Sequence, residues 1–420
     1  MLSVNDIFTG GIVFAILVIS IFWIFYFIDI NNEMENENKR ELQVDERPSV
    51  AVLVPAIFEG KRLKETIKNV KEVDYSNYTI YIALNKSSTK ETINAAKMKG
   101  VRVIRAPFDG KSRVMNYAIY NFIKEDYVLV LDADTFIEKD LLKRLLYHFK
   151  KRKVAAVVSA VKVYKPKAVV EFLQYYEYLL SILARKALSK IGGLVIVHGA
   201  GSMFDTKVIK KLGGFDENNY SEDMEIGMRL LTNGYKIESS IKAVSYTLAP
   251  NTLKKLFRQR VRWFSGFFYN TIKYRKTALN SKKNDIWKVA LPFMFASIFL
   301  SFFVVIGIVY TLAVFLLPAS KILLNTNLSF FLSYLFPSVS FLTLNSRIFL
   351  EMLGASVGIF SIVYSLRTID HRFEIVKDFF GIIAYMTFYS FFLSFIWLYS
   401  LSALEKFRNG KLIWSPNISA

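Results

Sequence analysis

The chain has 420 residues, of which 55 are lysine or arginine and 35 are aspartate or glutamate, so its formal net charge at pH 7 is +20. This length, with 53% hydrophobic residues, argues against one uniform globule and allows a soluble domain together with several membrane-spanning helices. The absence of cysteine excludes disulfides, thiolate metal sites and cysteine nucleophiles, and a total of three histidines argues against a histidine-built metal centre.

The positive charge points to nucleic acid, anionic lipid or a phosphorylated substrate as the partner. Apolar segments at both ends of the chain favour anionic lipid and a phosphorylated substrate. We therefore expect membrane lipids as partners and no nucleic acid, because the basic and aromatic residues adjoin the apolar segments.

The first apolar segment, residues 8–28, carries no charged residue and is long enough to cross a bilayer as a helix. It lacks the basic start and the small-residue cleavage site of a signal peptide, so we predict a retained anchor in residues 1–30. Lys39 and Arg40 follow it, and the positive-inside rule then predicts a cytoplasmic domain after a linker at 31–47.

Short β-branched runs alternate with helical patterns in the middle of the chain. The runs that predict buried parallel strands are residues 49–55, 78–84, 101–105, 127–134 and 154–160. Segments 61–71 and 111–124 have the length and polarity of crossover helices, which predicts an α/β, Rossmann-like catalytic domain over residues 48–249. Ligands in such sheets bind beyond the carboxyl ends of the strands, where Asp132 and Asp134 lie.

Asp132 and Asp134 are two positions apart in the segment DAD, so both side chains can point into one cleft. Their oxygens suit Mg²⁺ or Mn²⁺, ions that commonly bridge protein carboxylates to substrate phosphates. Such an ion would neutralise charge on a departing nucleoside diphosphate. The alternative is a pair of solvated aspartates that cap the helix beginning near Glu138.

A second acidic pair, Glu222 and Asp223 in the segment SED, stands at the start of a helical pattern. Acids in a first helical turn often serve only as partners of the helix dipole, which is the alternative interpretation. A hydroxyl that displaces a diphosphate needs a base in line with the reacting carbon, and a positioned carboxylate fits that role. We assign the base to Asp223.

Residues 250–286 form a basic segment with helical periodicity. The apolar residues share one face, and Gln259, Arg262 and Gly266 share the opposite face. The pattern predicts interfacial amphipathic helices, with one face toward lipid and the other toward a protein site. A surface helix of a soluble domain is the alternative.

Within this segment, QRVRW at 259–263 combines two arginines with a tryptophan. Arg260 and Arg262 can bind diphosphate oxygens through their planar donors, and Trp263 can stack on the apolar face of a pyranose ring. The alternative is a basic helix that binds only anionic lipid.

Single residues add further candidates. Lys111 in FDGKSRVMN can meet phosphate, although no glycine-rich phosphate loop precedes it. Glu59 and Asn85 end strand-to-loop turns where a nucleotide base and ribose would lie, or serve only in turn chemistry. His198 fits a loop or core histidine, but Gly199 beside it would allow close approach of a substrate.

Long apolar segments follow in residues 287–404 and predict a helical transmembrane region of three or four spans. The lysines and arginines between them barely distinguish the two counts. We predict four, which places a tail at 405–420 in the cytoplasm. The pattern is that of a multi-pass protein of the cell membrane with a cytoplasmic catalytic domain.

From about residue 49 to residue 266, the chain resembles the membrane-embedded family-2 glycosyltransferases, which include cellulose, chitin, hyaluronan and poly-N-acetylglucosamine synthases. VPAIFE at 54–59 resembles the opening nucleotide-binding turn of that family, and DGKSRVMN at 109–116 resembles its GK-containing segment. DAD matches its DxD metal motif, SED its TED-type base motif and QRVRW its QxxRW motif.

The resemblance implies a GT-A fold with a divalent metal at Asp134, Asp132 near the nucleotide and the base at Asp223 beside Glu222. With the single candidates above, the expected nucleotide-binding residues are Pro55, Glu59, Asn85, Lys111 and Asp132. The expected diphosphate and acceptor residues are Gln259, Arg260, Arg262, Trp263, His198 and Gly199. Asn85 stands where the family usually has an aspartate, which leaves the nucleotide open because an amide oxygen can accept from uracil or guanine.

The resemblance implies inverting, metal-dependent transfer from a nucleotide-sugar, with a UDP-sugar expected. Because QxxRW goes with processive synthases, it favours transfer to a growing β-linked glycan, processively and with product export. One alternative is the transfer of a single sugar, such as mannose from GDP-mannose, to a lipid-linked acceptor. A non-catalytic nucleotide-sugar-binding or pore protein is the other.

Overall fold

The computed structural model describes residues 48–280, 362–369 and 374–409, together with positions 28, 29, 40, 41, 295, 306, 325, 356, 359 and 360. Most of the predicted anchor at 1–30, of the linker at 31–47 and of the predicted spans at 287–404 lies outside the described residues. Within the described part, one helical stretch, Asp378–Ser402, is long and apolar enough to cross a membrane. The number of spans therefore stays a prediction.

Strands and helices alternate through the middle of the chain. The strands are β1 (Val50–Ala56), β2 (Tyr78–Leu84), β3 (Val101–Arg105), β4 (Tyr127–Leu131), β5 (Phe136–Ile137), β6 (Val154–Val163), β7 (Ala200–Asp205) and β8 (Lys236–Thr247). The helices between and after them are α1 (Lys61–Val70), α2 (Lys90–Ala96), α3 (Lys111–Asn121), α4 (Leu141–His148), α5 (Val169–Lys190), α6 (Thr206–Lys211), α7 (Glu222–Thr232) and α8 (Leu253–Asn280). Near the C-terminus lie α9 (Ile375–Ala384), a π-helical turn (Tyr385–Tyr389), α10 (Ser390–Ser402) and α11 (Leu404–Arg408).

The strands form one mixed sheet in the order β3-β2-β1-β4-β7-β6-β8-β5. Strands β3, β2, β1 and β4 run parallel, whereas β7 runs antiparallel to both β4 and β6. Leu53 of β1 lies opposite Tyr81 of β2 and Val130 of β4, so the three strands end at one edge. The strand order reverses between β1 and β4, and such a reversal opens a crevice for ligands. The predicted α/β domain is confirmed.

Both faces of the sheet are covered, which explains the continuous apolar runs of its central strands. In β1, Ala51 and Leu53 join a core cluster with α3 and α7, whereas Val50, Val52 and Val54 join a second cluster with α1 and α4. The alternation follows from the two-residue period of a strand. All seven residues of β1 are buried, so this strand anchors the crevice rigidly.

The amphipathic helix predicted at 250–286 forms as α8, but its apolar face does not lie open toward lipid. Phe264 stacks on Trp397 of α10 with ring centroids 3.8 Å apart, and Phe257 lies 5.2 Å from Tyr399. Val261 belongs to the same apolar cluster. The expectation of a lipid-facing surface is corrected, because the stretch that is itself apolar enough to span a membrane covers this face.

Candidate active site

The loop after β4 holds the DAD aspartates at the carboxyl edge of the sheet. The Asp132 amide donates a hydrogen bond to the Gly199 carbonyl oxygen at 3.1 Å, and the Thr135 amide donates to the Asp132 carbonyl oxygen at 3.0 Å. The Ala133 carbonyl oxygen accepts from the Thr66 hydroxyl at 2.9 Å. The loop is therefore fixed from two sides, at the place where open α/β sheets bind ligands.

Lys111, at the start of α3, joins the DAD and SED segments. Its Nζ lies 2.9 Å from Asp132 Oδ1 and 3.0 Å from Glu222 Oε1. Burial lowers the pKa of Lys111, but the negative charges of Asp132 and Glu222 outweigh burial and raise it above its ordinary value. The side chain keeps 40% of its surface exposed, so the charged ammonium remains accessible to an anionic ligand.

Gly199 packs directly on this ion pair. A Cβ at this position would lie 2.9 Å from both Asp132 carboxylate oxygens and 3.0 Å from Lys111 Nζ. Such distances are shorter than carbon normally tolerates, so any larger residue would displace the pair. We expected a substrate to approach closely at Gly199. In the structure, the side chains of Asp132 and Lys111 occupy that space.

Asp134 lies in a negatively charged environment. Burial, and then the charge of Asp132, raise its pKa to about 6, and Glu59 adds to the rise while Arg62 opposes it. No cluster of three or more histidine, cysteine or acidic residues that could hold a metal is found within the described ranges. Two carboxylates nevertheless fit Mg²⁺ or Mn²⁺, which commonly take their remaining ligands from substrate phosphates and water.

Asp223 lies in the first turn of α7, next to Glu222. Its Oδ1 accepts a hydrogen bond from the Met224 amide at 2.8 Å. Burial, and then the charge of Glu222, raise the pKa of Asp223 to about 6, whereas Lys111 and Arg262 lower it. A carboxylate of this kind is ionised at neutral pH and is more basic than an ordinary aspartate, as a general base requires.

Helix α8 brings part of the QRVRW segment to the same side of the domain. Arg262 Nη1 donates to the Tyr220 carbonyl oxygen at 3.2 Å, just before the SED segment. Gln259 Oε1 is buried and has no hydrogen-bond partner among the described residues. Because buried polar atoms are nearly always paired, an unpaired amide oxygen beside Arg262 is consistent with a ligand contact.

Arg260 lies elsewhere. Its Nη1 and Nη2 donate to Glu177 Oε1 and Oε2 of α5 at 2.9 and 2.7 Å, and only 3% of Arg260 is exposed. This bidentate ion pair occupies the donors that we expected on a diphosphate, so Arg262 alone of the two arginines is placed for that role. Glu177 was not predicted as a site residue, although an acid inside the apolar helix QYYEYLL was the available signal.

His198 lines a pocket together with Lys111, Gly199, Glu222 and Asp223. Its Nε2 donates to the Ser159 carbonyl oxygen at 3.1 Å, since a carbonyl oxygen can only accept. Burial, and then the charge of Arg185, lower the pKa of His198 to about 3, so the ring is neutral. It is a fixed wall of the pocket and cannot supply a positive charge.

The other residues predicted to bind the nucleotide, Pro55, Glu59 and Asn85, make contacts within the protein. Pro55 is buried in β1, and Glu59 Oε2 accepts from the amides of Ile57 and Phe58 at 2.6 and 2.9 Å. Asn85 Oδ1 accepts from the Gly110 amide at 2.8 Å. The Glu59 contacts are local to its own turn, whereas the Asn85 contact joins the loop after β2 to the residue that precedes Lys111. The nucleotide-binding roles of Pro55, Glu59 and Asn85 stay predictions.

A family match over the mixed-sheet domain identifies the class of protein as a nucleotide-sugar-dependent glycosyltransferase with a GT-A-like fold. The family described as Glycosyltransferase like family 2 matches residues 48–266, just over half of the chain. The chain belongs to this family.

Two curated relatives are poly-beta-1,6-N-acetyl-D-glucosamine synthases. The one from Staphylococcus aureus is 27% identical over 289 residues, which cover 65% of this chain and 70% of that protein. The one from Staphylococcus epidermidis is 28% identical over 291 residues, which cover 64% and 69%.

Among solved structures, the mannosyltransferase PcManGT from Pyrobaculum calidifontis, in complex with GDP-Man and Mn²⁺, aligns with a TM-score of 0.51 at 19% identity. The alignment covers 85% of this chain and 99% of that chain. Similarity at this level of identity shows the fold alone.

Proposed function

We propose that the chain is an inverting, metal-dependent transferase that moves a sugar from a UDP-sugar to a growing β-linked glycan at a membrane surface. The observation that carries the proposal is the meeting of Asp132 and Glu222 at the Lys111 ammonium, at 2.9 and 3.0 Å. A nucleotide-sugar whose diphosphate lies beside Asp132 and Asp134 would have its sugar next to Glu222 and Asp223. One transfer site requires this arrangement.

Asp132 and Asp134 are the residues proposed to hold Mn²⁺ or Mg²⁺. Both offer hard oxygen donors, and the raised pKa of Asp134 reflects burial beside negative charge, which a dication would offset. Such an ion, when bound, neutralises charge on a departing nucleoside diphosphate. Lys111 and Arg262 contribute further positive charge for phosphate oxygens.

Asp223 is the proposed base. Its carboxylate takes the proton of the acceptor hydroxyl while that oxygen forms a bond to the anomeric carbon. The bond between this carbon and the diphosphate oxygen breaks, and the diphosphate leaves with the bonding electron pair. Because the hydroxyl enters on the face opposite the departing group, the configuration of the sugar inverts.

Trp263 and Gln259 are proposed to hold the acceptor sugar next to Asp223. The Trp263 ring offers a flat apolar surface for a pyranose, and Gln259 Oε1 offers an unpaired acceptor for a sugar hydroxyl. His198 and Gly199 are proposed to close the same subsite, where the neutral imidazole adds shape without charge.

A membrane location is part of the proposal. The helical stretch Asp378–Ser402 leaves large aromatic side chains exposed, including Phe380 at 65% and Phe395 at 54%. Exposed apolar surface of this extent on a long apolar helix is suited to lipid. The same stretch packs on α8, so the transfer site would lie at the membrane surface. We propose the cytoplasmic side, on the basis of Lys39 and Arg40 after the first apolar segment.

The relatives named poly-beta-1,6-N-acetyl-D-glucosamine synthases favour N-acetylglucosamine as the transferred sugar and a β-1,6-linked N-acetylglucosamine chain as acceptor and product. Together with the UDP-sugar that the motif resemblance implies, this makes UDP-N-acetylglucosamine the proposed donor. Repeated addition to one chain, with export of the product, is the form of the reaction that we propose.

The test uses the full-length protein in detergent with Mn²⁺ and a panel of UDP- and GDP-sugars. We expect UDP release from UDP-N-acetylglucosamine and a ladder of oligosaccharides by mass spectrometry. A single adduct on a lipid extract, above all from GDP-mannose, would replace the proposal with single-sugar transfer. No nucleotide release from any donor would favour a non-catalytic protein. Asp223→Asn serves as the inactive control.

A further inference from the structure

Glu177 of α5 connects three separate helical elements. Its carboxylate accepts hydrogen bonds from both terminal nitrogens of Arg260 of α8, at 2.9 and 2.7 Å. The Tyr389 hydroxyl donates a further hydrogen bond to Glu177 Oε2 at 2.6 Å. Arg260 and Tyr389 are 3% and 0% exposed. A buried ion pair is often no more stable than an apolar replacement, so stability alone is a weak reason for this arrangement.

Arg260 also contacts Trp263. Its guanidinium carbon lies 4.4 Å from the centroid of a Trp263 ring, which is a cation–π geometry. The two carboxylate bonds fix the plane of the guanidinium, and the guanidinium in turn limits how the indole can tilt or move. Glu177 and Trp263 are thus linked through Arg260.

Tyr389 is the last residue of the π-helical turn Tyr385–Tyr389, which separates α9 from α10. π-Helical turns are rare overall, but those that occur are often found at functional sites. This turn lies inside the candidate span Asp378–Ser402, so the hydroxyl that reaches Glu177 comes from the same helical stretch that we propose to cross the membrane.

We propose that Glu177, Arg260 and Tyr389 are positioning residues that hold the Trp263 ring in place for the acceptor sugar. The candidate span is thereby a structural part of the acceptor subsite, in addition to being an anchor. The inference rests on the proposed function in one respect, the placement of Trp263 at the acceptor.

The main experiment measures three quantities with full-length protein, UDP-N-acetylglucosamine and a β-1,6-linked N-acetylglucosamine oligosaccharide: acceptor KM, kcat, and donor hydrolysis without acceptor. Tyr389→Phe removes one hydroxyl from the Glu177 contact. We expect acceptor KM to rise about 3- to 10-fold, with kcat and donor hydrolysis within about twofold of the unmodified protein. A loss of packing alone would lower all activities together.

Tyr399→Phe is the matched control. It removes a hydroxyl from the same candidate span, at a residue that is 39% exposed and packs on Phe257 instead of on the Glu177–Arg260 pair. We expect its acceptor KM to stay within about twofold of the unmodified protein. An equal rise in both variants would overturn the proposal, because the Glu177 contact would then not be the cause.

Combining Tyr389→Phe with Trp263→Ala distinguishes a failure of this inference from a failure of the proposed function. If Tyr389 acts through Trp263, Tyr389→Phe has no further effect on acceptor KM once the indole is gone. Additive effects would overturn the positioning role and leave the proposed function intact. An unchanged acceptor KM in Trp263→Ala itself would show that the indole is not in the acceptor subsite, which overturns this inference and that part of the proposed function.

Discussion

Gly266 of α8 lies so close to Ser221 that a Cβ at position 266 would come within 2.0 Å of the Ser221 hydroxyl oxygen and 2.6 Å of its Cβ. Ser221 immediately precedes α7, which carries Asp223. We expect Gly266→Ala to force the two helices apart, lower the free energy of unfolding by about 1–3 kcal/mol and reduce transfer. Thermal unfolding and initial transfer rates measure the two effects.

The double variant Gly266→Ala/Ser221→Gly is the control for this prediction. Removing the Ser221 side chain leaves Phe407 Cζ as the nearest atom, at 3.4 Å, which is an ordinary contact. Stability and transfer should therefore recover in large part. A single variant as stable and active as the unmodified protein would contradict the close contact.

The base assignment predicts that Asp223→Asn lowers kcat by about 10²- to 10⁴-fold, because an amide cannot take the proton of the acceptor hydroxyl. Donor KM should change little. The matched control is Glu217→Gln, which replaces another acid of the preceding loop whose side chain is 44% exposed. A kcat in Asp223→Asn comparable to that of the control would exclude Asp223 as the base.

The pH dependence of transfer follows from the same carboxylate. Burial and the charge of Glu222 raise the pKa of Asp223 to about 6, and the base acts only when deprotonated. We therefore expect kcat/KM to be constant near neutral pH and to fall as the pH drops through about 6. This acid limb lies at a higher pH than an ordinary aspartate would give.

Glu222→Gln tests the cause of that shift. The negative charge of Glu222 raises the pKa of Asp223, so its removal should lower that pKa and move the acid limb to lower pH. Glu217→Gln should leave the limb in place. A limb that moves to higher pH, or does not move in Glu222→Gln, would assign it to another group.

The sequence predicts the first half of the sheet well because its strands are buried on both faces. Strands β1, β2 and β3 begin within one residue of the predicted positions. Continuous β-branched runs leave little ambiguity there. The DAD aspartates follow the last residue of β4, so their place at the carboxyl edge is also predictable.

Strand β8 is missed because its sequence, KIESSIKAVSYT, looks too polar for a sheet interior. Its serines are satisfied by distant partners: Ser245 donates to the Ala200 carbonyl oxygen at 2.7 Å, and Ser240 donates to Glu41 at 2.9 Å. A local pattern cannot show such partners.

The same limit explains the misplacement of Arg260. Periodicity identifies the two faces of α8 but not the elements that cover them. Glu177, the partner of Arg260, lies on α5, and Trp397 of α10 covers the face expected toward lipid. Tertiary contacts between distant segments decided both outcomes.

Transfer is expected to require a divalent metal ion at Asp132 and Asp134. Removing divalent ions with EDTA should lower transfer by at least about 100-fold, because the departing diphosphate loses the charge that neutralises it. Mn²⁺ should restore transfer by the unmodified protein but not by Asp134→Asn, whose amide carries no negative charge and offers one oxygen instead of two. Glu138→Gln is the matched control, since this exposed acid instead accepts from the Tyr246 hydroxyl at 2.8 Å, and it should respond to Mn²⁺ normally. Full transfer in EDTA would remove the metal from the mechanism and leave Lys111 and Arg262 as the counter-charges of the diphosphate.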